Sequence, residues 1–129
     1  MMADRILQKK IRVDAFVTSP AVRALATCRY FAHAYHKKEQ EIIQVPELYH
    51  AAPEDFYSVI EEFPEPYSCI ALFSHNPGIT AFINALTSYK IDQMPTCGIF
   101  GVQMAIRKWN DFREADKQFW FFDFPKNQD

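Results

Sequence analysis

Residues 69–86 read CIALFSHNPGITAFINAL, and their order of residue types decides the fold. Five apolar residues, Cys69 to Phe73, run without a break, which predicts a strand over 68–73 buried on both faces, as in a parallel sheet flanked by helices. A helix is predicted over 76–88, with Asn76 as cap, Pro77 in the first position, and Ile79, Phe82, Ile83 and Leu86 facing inward. Asn, Pro and Gly suffice for the junction between strand and helix. His75 is not needed for any turn, so its presence asks for another reason.

The same grammar occurs upstream. Val13–Thr18 is strand-like, and TSPAVRALAT (18–27) opens a helix over 20–36 with Ser19 as cap and Pro20 first. Ala21, Leu25, Cys28, Ala32 and Tyr35 form the expected inner stripe. Further elements are the tail of a helix at 2–10, a short strand at 41–45, and a helix at 53–62 that starts on Pro53 with Glu54 and Asp55 in its first turn. A strand at 98–106, a charged loop at 107–118 and a last strand at 119–124 complete the chain. Strands alternating with helices predict an α/β fold, a three-layer αβα sandwich with a mostly parallel central sheet.

The chain has 129 residues, 49% of them apolar and 23% charged, with net charge −2, which fits one folded domain. No basic run points to nucleic acid. No apolar run reaches the ~20 residues of a membrane span, and no apolar leader opens the chain, so a cytoplasmic protein is expected. Three separate cysteines, Cys28, Cys69 and Cys97, argue against a disulfide framework or a zinc site.

In open α/β sheets, ligands bind beyond the carboxyl ends of strands, where helix starts favour anions. Both junctions put a cation-capable side chain there, Arg23 and His75. Arg23 stands in the first turn of its helix, where a positive charge opposes the helix dipole by about 0.3–1 kcal/mol. A bound phosphoryl group would give both residues a purpose. On residue pattern alone the plainer reading, an exposed Arg23 and a His75 that ends a strand, is the better one.

Four segments in order carry a resemblance. SPAVRALAT (19–27) is similar to the Ser-Pro-x-x-Arg-Ala-x-x-Thr segment of the histidine phosphatase superfamily, the phosphoglycerate-mutase-like fold. SHNPGIT (74–80) resembles the His-Asn-Pro-Gly segment of the SixA-type phosphohistidine phosphatase branch. ELYHAAPEDFYSVI (47–60) resembles that branch's linker and short helix. MPTCGIFGVQM (94–104) with Trp109, and then FFDFPK (121–126), resemble its closing strands. The resemblance spans residues 3–126.

It implies a phosphatase whose substrate is a phosphorylated protein or small phosphoester, with phosphate as ligand and no metal or other cofactor. Nucleic acid and membrane are not expected partners. Arg23 would be a pocket arginine and His75 the histidine that stabilises the transferring phosphoryl group, supported by Asn76 and, at the other helix start, Ser19. A nucleophilic histidine would lie in an Arg-His-Gly segment ending a first strand. Residues 1–129 contain no Arg-His-Gly. The expectation is therefore a single histidine-phosphatase-like domain lacking that N-terminal segment. Either the natural chain is longer, or a short form closes the gap by a swapped strand or dimer contact. The lost strand is expected between 13–18 and 68–73, leaving unpaired edges on both. Without the segment, a non-catalytic phosphate- or phosphoprotein-binding module is the alternative, and a purely structural domain the third.

Other candidates have plainer readings. His33 and His36 are exposed helix residues rather than a metal pair, and His50 is a loop residue near the pocket mouth. Cys97 is a small packing residue at a strand start. Phe119–Phe124 is core strand.

Overall fold

A computed structural model describes residues 2–125; the predicted last segment's Lys126 lies outside the described residues. The fold is α/β. In chain order it comprises α1 (Met2–Gln8), β1 (Ala15–Thr18), α2 (Val22–Ala34), β2 (Ile42–Gln44), α3 (Pro53–Ile60), β3 (Ile70–Phe73), α4 (Gly78–Asn84), β4 (Ile99–Gln103) and β5 (Gln118–Asp123). Every predicted element is present, most of them shorter by a few residues, while the last strand begins one residue earlier than predicted. β1 lies between β2 and β3 and is parallel to both, whereas β4 and β5 form a separate antiparallel pair.

β1 is buried at all four positions, and its alternation feeds two cores. Phe16 packs with Met2, Ala3 and Ile6 of α1 and with Cys28, Phe31 and Ala32 of α2. Ala15 and Val17 pack on the other side with Leu48, with Phe56 and Ile60 of α3, with Phe82 of α4 and with Phe112. The inner stripe of α2 is thus Ala24, Cys28, Phe31 and Ala32. It shares Cys28 and Ala32 with the predicted stripe but takes Ala24 and Phe31 in place of Leu25 and Tyr35, because the face that packs on Phe16 and α1 is the one carrying Phe31. Phe112 shows that the 107–118 segment is more than a charged loop: it sends one ring into the core, while Trp109 Nε1 donates to the Tyr67 carbonyl at 2.8 Å.

Three expectations are corrected here. Residues 13–18 and 68–73 were expected to flank a lost strand, yet Ala15, Phe16, Val17 and Thr18 pair directly with Ile70, Ala71, Leu72 and Phe73. The open edge is on the far side of β3. Cys69 and Phe73 carbonyls accept from Asp14 and Ser19 N–H groups, so the alternate residues, Ile70 and Leu72, turn their main-chain groups away from β1. That edge faces a cleft, with β4 and β5 beyond it. β3 is accordingly half-buried at all four positions rather than buried on both faces. The β5 aromatics were expected to be core, but Phe119 and Trp120 are exposed.

The entry to β3 is held by a carboxylate. Asp14 Oδ2 accepts the Ser68 N–H at 2.7 Å and the Cys69 N–H at 3.1 Å. The Ser68 bond is the main reason that the Asp14 pKa lies below its ordinary value, against the opposing effect of desolvation. A depressed native pKa means that the stabilisation is complete above the unfolded pKa and is lost as pH falls through the native one. Asp14→Ala should cost about 1.5 kcal/mol at neutral pH, the scale of hydrogen bonds to a charged acceptor. Urea titrations should show the difference from the native chain shrinking under acid.

Candidate functional site

The parallel sheet ends in three loops on one side: 19–21 after β1, 45–52 after β2 and 74–77 after β3. The Ser19 N–H donates to the Phe73 carbonyl at 2.9 Å, and the Ser74 hydroxyl reaches the Leu48 carbonyl at 3.4 Å. The loops are therefore tied to one another at the carboxyl ends of the strands, where an α/β sheet presents its ligand site.

Beside them opens a cleft of about 1610 Å³, lined by residues of β3 and β4 and by both Arg23 and His75. Arg23 follows β1 by five residues and His75 follows β3 by two, and these strands are hydrogen-bonded neighbours. Arg23 is exposed in the first turn of α2, which contains no acidic residue. Among the described residues it makes no ion pair. His75 is half-buried, and its Nδ1 is fully buried without a hydrogen-bond partner. Buried polar atoms are nearly always satisfied, so an unsatisfied one calls for a partner such as a water, an ion or a ligand.

The two predicted supporting residues have other work. Ser19 is fully buried, does not line the cleft, and its hydroxyl accepts the Ala21 N–H at 3.1 Å. The N-cap position of α2 belongs to Ala21, so Ser19 shapes the approach to the helix instead of capping it. Asn76 does line the cleft, but Pro77 occupies the N-cap position of α4. The Asn76 amide donates to the Met94 carbonyl at 2.9 Å, and its oxygen accepts from the Thr80 hydroxyl. Thr80 Oγ1 in turn accepts the Met94 N–H at 2.9 Å, so Asn76 and Thr80 clamp the 94–97 segment against α4.

The third loop also reaches His75. His50 lies against His75 with ring centroids 5.9 Å apart, and Tyr49 lies 5.9 Å from His75 and 4.4 Å from His50. The available signal was position: ELYH follows a strand at the same end of the sheet as the other two junctions. His33 and His36 are exposed, as expected, and no group of three or more metal-ligating side chains occurs among the described residues. Cys97 is exposed at φ 58° rather than packed at a strand start. Burial pushes the Cys28 thiol up to about 12 and raises that of Cys69, which leaves both poor nucleophiles.

No protein-family model matches the chain. No curated protein matches it either. Solved structures do, and the three most informative all carry the SixA name. SixA of Agrobacterium tumefaciens is 23% identical with a TM-score of 0.69, the match covering 96% of this chain and 76% of that one. SixA of Nakamurella multipartitia is 16% identical with a TM-score of 0.74, over 96% and 78% of the two chains. A protein histidine phosphatase SixA complexed with tungstate is 16% identical with a TM-score of 0.70, over 94% and 74%. At these identities the likeness is one of fold, and the chain has the fold of the SixA branch of the histidine phosphatase superfamily. No described helix is long and apolar enough to cross a membrane.

Proposed function

We propose that this protein is a SixA-like phosphohistidine phosphatase, which removes phosphoryl groups from protein histidine or small phosphoesters through a phosphohistidine intermediate. The observation that carries the reading is the pairing of Arg23, which makes no ion pair among the described residues, with a histidine whose Nδ1 is buried and unsatisfied, both lining one cleft at the carboxyl ends of adjacent parallel strands. The tungstate bound by one structural neighbour is a tetrahedral oxyanion, like phosphate.

In this reading a nucleophilic histidine outside residues 1–129 attacks phosphorus. The phosphorus–leaving-group bond breaks as the new N–P bond forms. Arg23 and His75 stabilise the charge that spreads over the equatorial oxygens, which is electrostatic preorganisation rather than covalent chemistry. Water then takes the phosphoryl group from the nucleophile. The strand that carries that histidine would lie in the cleft between β3 and β4. It would thereby join the two sheets into the single central sheet of a three-layer sandwich, with Ile70 and Leu72 supplying its main-chain partners.

The test is turnover. A version extended upstream through an Arg-His-Gly strand should hydrolyse an aryl phosphate, and Arg23→Ala or His75→Ala should remove nearly all of that activity. An extended protein that binds phosphate or vanadate yet stays inert favours the second reading, a phosphate- or phosphoprotein-binding module. One feature of residues 1–129 favours it too: the histidine lying against His75 is His50, which stands on an exposed loop at φ 58° and not at a strand end. Absence of anion binding in every form would refute both.

A further inference from the structure

Three rings meet at the rim of the cleft, Tyr49 and His50 from the loop after β2 and His75 from the loop after β3. All three contacts are edge-to-face, with interplanar angles of 89° for Tyr49–His50, 70° for Tyr49–His75 and 82° for His50–His75. The loop is held on both flanks. On one side Leu48 is fully buried and its carbonyl meets the Ser74 hydroxyl. On the other, the Ala51 carbonyl presses so closely on α4 that a Cβ placed on Gly78 would sit 2.2 Å from it. Between these anchors the backbone enters the left-handed region at His50, a conformation that histidine adopts more readily than most side chains.

The outcome is an unusual surface. Tyr49 is 50% exposed although it lines the cleft, and His50 is exposed beside it. No aliphatic side chain larger than alanine faces solvent between Leu48 and Pro53, so this part of the rim offers rings, while the exposed aliphatic Val22 stands beside Arg23 on the α2 side of the cleft. Rings prefer other rings in offset or edge-to-face contact, over and above the area they bury.

We propose that Tyr49 and His50 form a ring-recognition rim that selects, among phosphomonoesters, those whose leaving group is a planar phenol over those with an aliphatic alcohol. The inference rests on the phosphate site proposed at Arg23 and His75 and names the substrate class that this site takes. A phosphoryl group bound at His75 carries its leaving group one bond from phosphorus. The ring neighbours of His75 at that distance are Tyr49 and His50. They act on the leaving group and leave the phosphoryl oxygens to Arg23 and His75.

The test compares phenyl phosphate with ethyl phosphate, two monoesters that present the same phosphoryl charge, by calorimetric titration of the 129-residue chain. Phenyl phosphate should bind about tenfold more tightly, the scale of a pair of aromatic contacts. Tyr49→Leu keeps apolar bulk, and His50→Asn keeps a residue tolerant of the left-handed backbone. Each should cut the preference, and the double variant should bring the two esters to parity with ethyl phosphate affinity unchanged. Equal affinities in the native chain, or a preference that survives the double variant, would overturn the rim while leaving the phosphate site intact. If neither ester binds, the phosphate site itself is refuted and the rim with it.

Discussion

Arg23→Ala should weaken binding of inorganic phosphate to the 129-residue chain by about 100-fold, the scale on which removing one preorganised donor from an oxyanion site is felt. It should do so without loss of fold stability. Arg23 is exposed, makes no ion pair among the described residues and sits where the α2 dipole repels it. Its removal relieves that repulsion, so the thermal midpoint should hold steady or rise slightly. Few surface substitutions have opposite expected effects on binding and on stability, which makes the pair of measurements diagnostic. A structural role for Arg23 predicts the reverse, a lower midpoint with phosphate affinity unaffected. His75→Ala should show a comparable loss of affinity, since it takes away the imidazole whose Nδ1 is buried without a partner.

Phe56→Ala is expected to have the largest effect on stability, about 3–5 kcal/mol, because it removes a large ring from a packed core and leaves a cavity. Phe56 is fully buried on α3 and stacks on Phe82 of α4, with centroids 4.6 Å apart and planes 9° from parallel. The same ring approaches Gly78: a Cβ built there would lie 3.7 Å from Phe56. Phe56 thus supports the α3–α4 contact on which both the 45–52 loop and His75 rest. A domain stability of roughly 5–15 kcal/mol would be cut by about a fifth or more. Denaturant unfolding followed by tryptophan fluorescence measures this directly. A loss below about 1 kcal/mol would mean that the α3–α4 core is not packed as described.

Much of the fold is legible in residue pattern. The Pro-led helix starts at 20 and 53, the apolar run at 69–73 and the aromatic run at 119–124 each mark an element that forms, because local periodicity and turn chemistry are properties of neighbours in sequence. Strand order is not such a property. Residues 15–17 and 69–73 are both apolar runs, and nothing in either says which edge is shared, so the open edge was expected between them and lies instead beyond β3. Capping shows a similar limit. Ser19 and Asn76 have the composition of caps, yet one hydroxyl serves the Ala21 N–H and the other side chain clamps Met94 and Thr80. Arg23 and His75 were recognisable because each stands where local structure has no use for it. Tyr49 and His50 were not, because a ring in a loop is unremarkable until the sheet brings that loop beside His75.

The most direct test of the shared site is a crystal structure of the chain with tungstate, the ion held by one of its structural neighbours. One tungstate within hydrogen-bonding distance of both the Arg23 guanidinium and the His75 imidazole is the predicted result. An ion bound elsewhere, or one that either residue alone can reach, would contradict it.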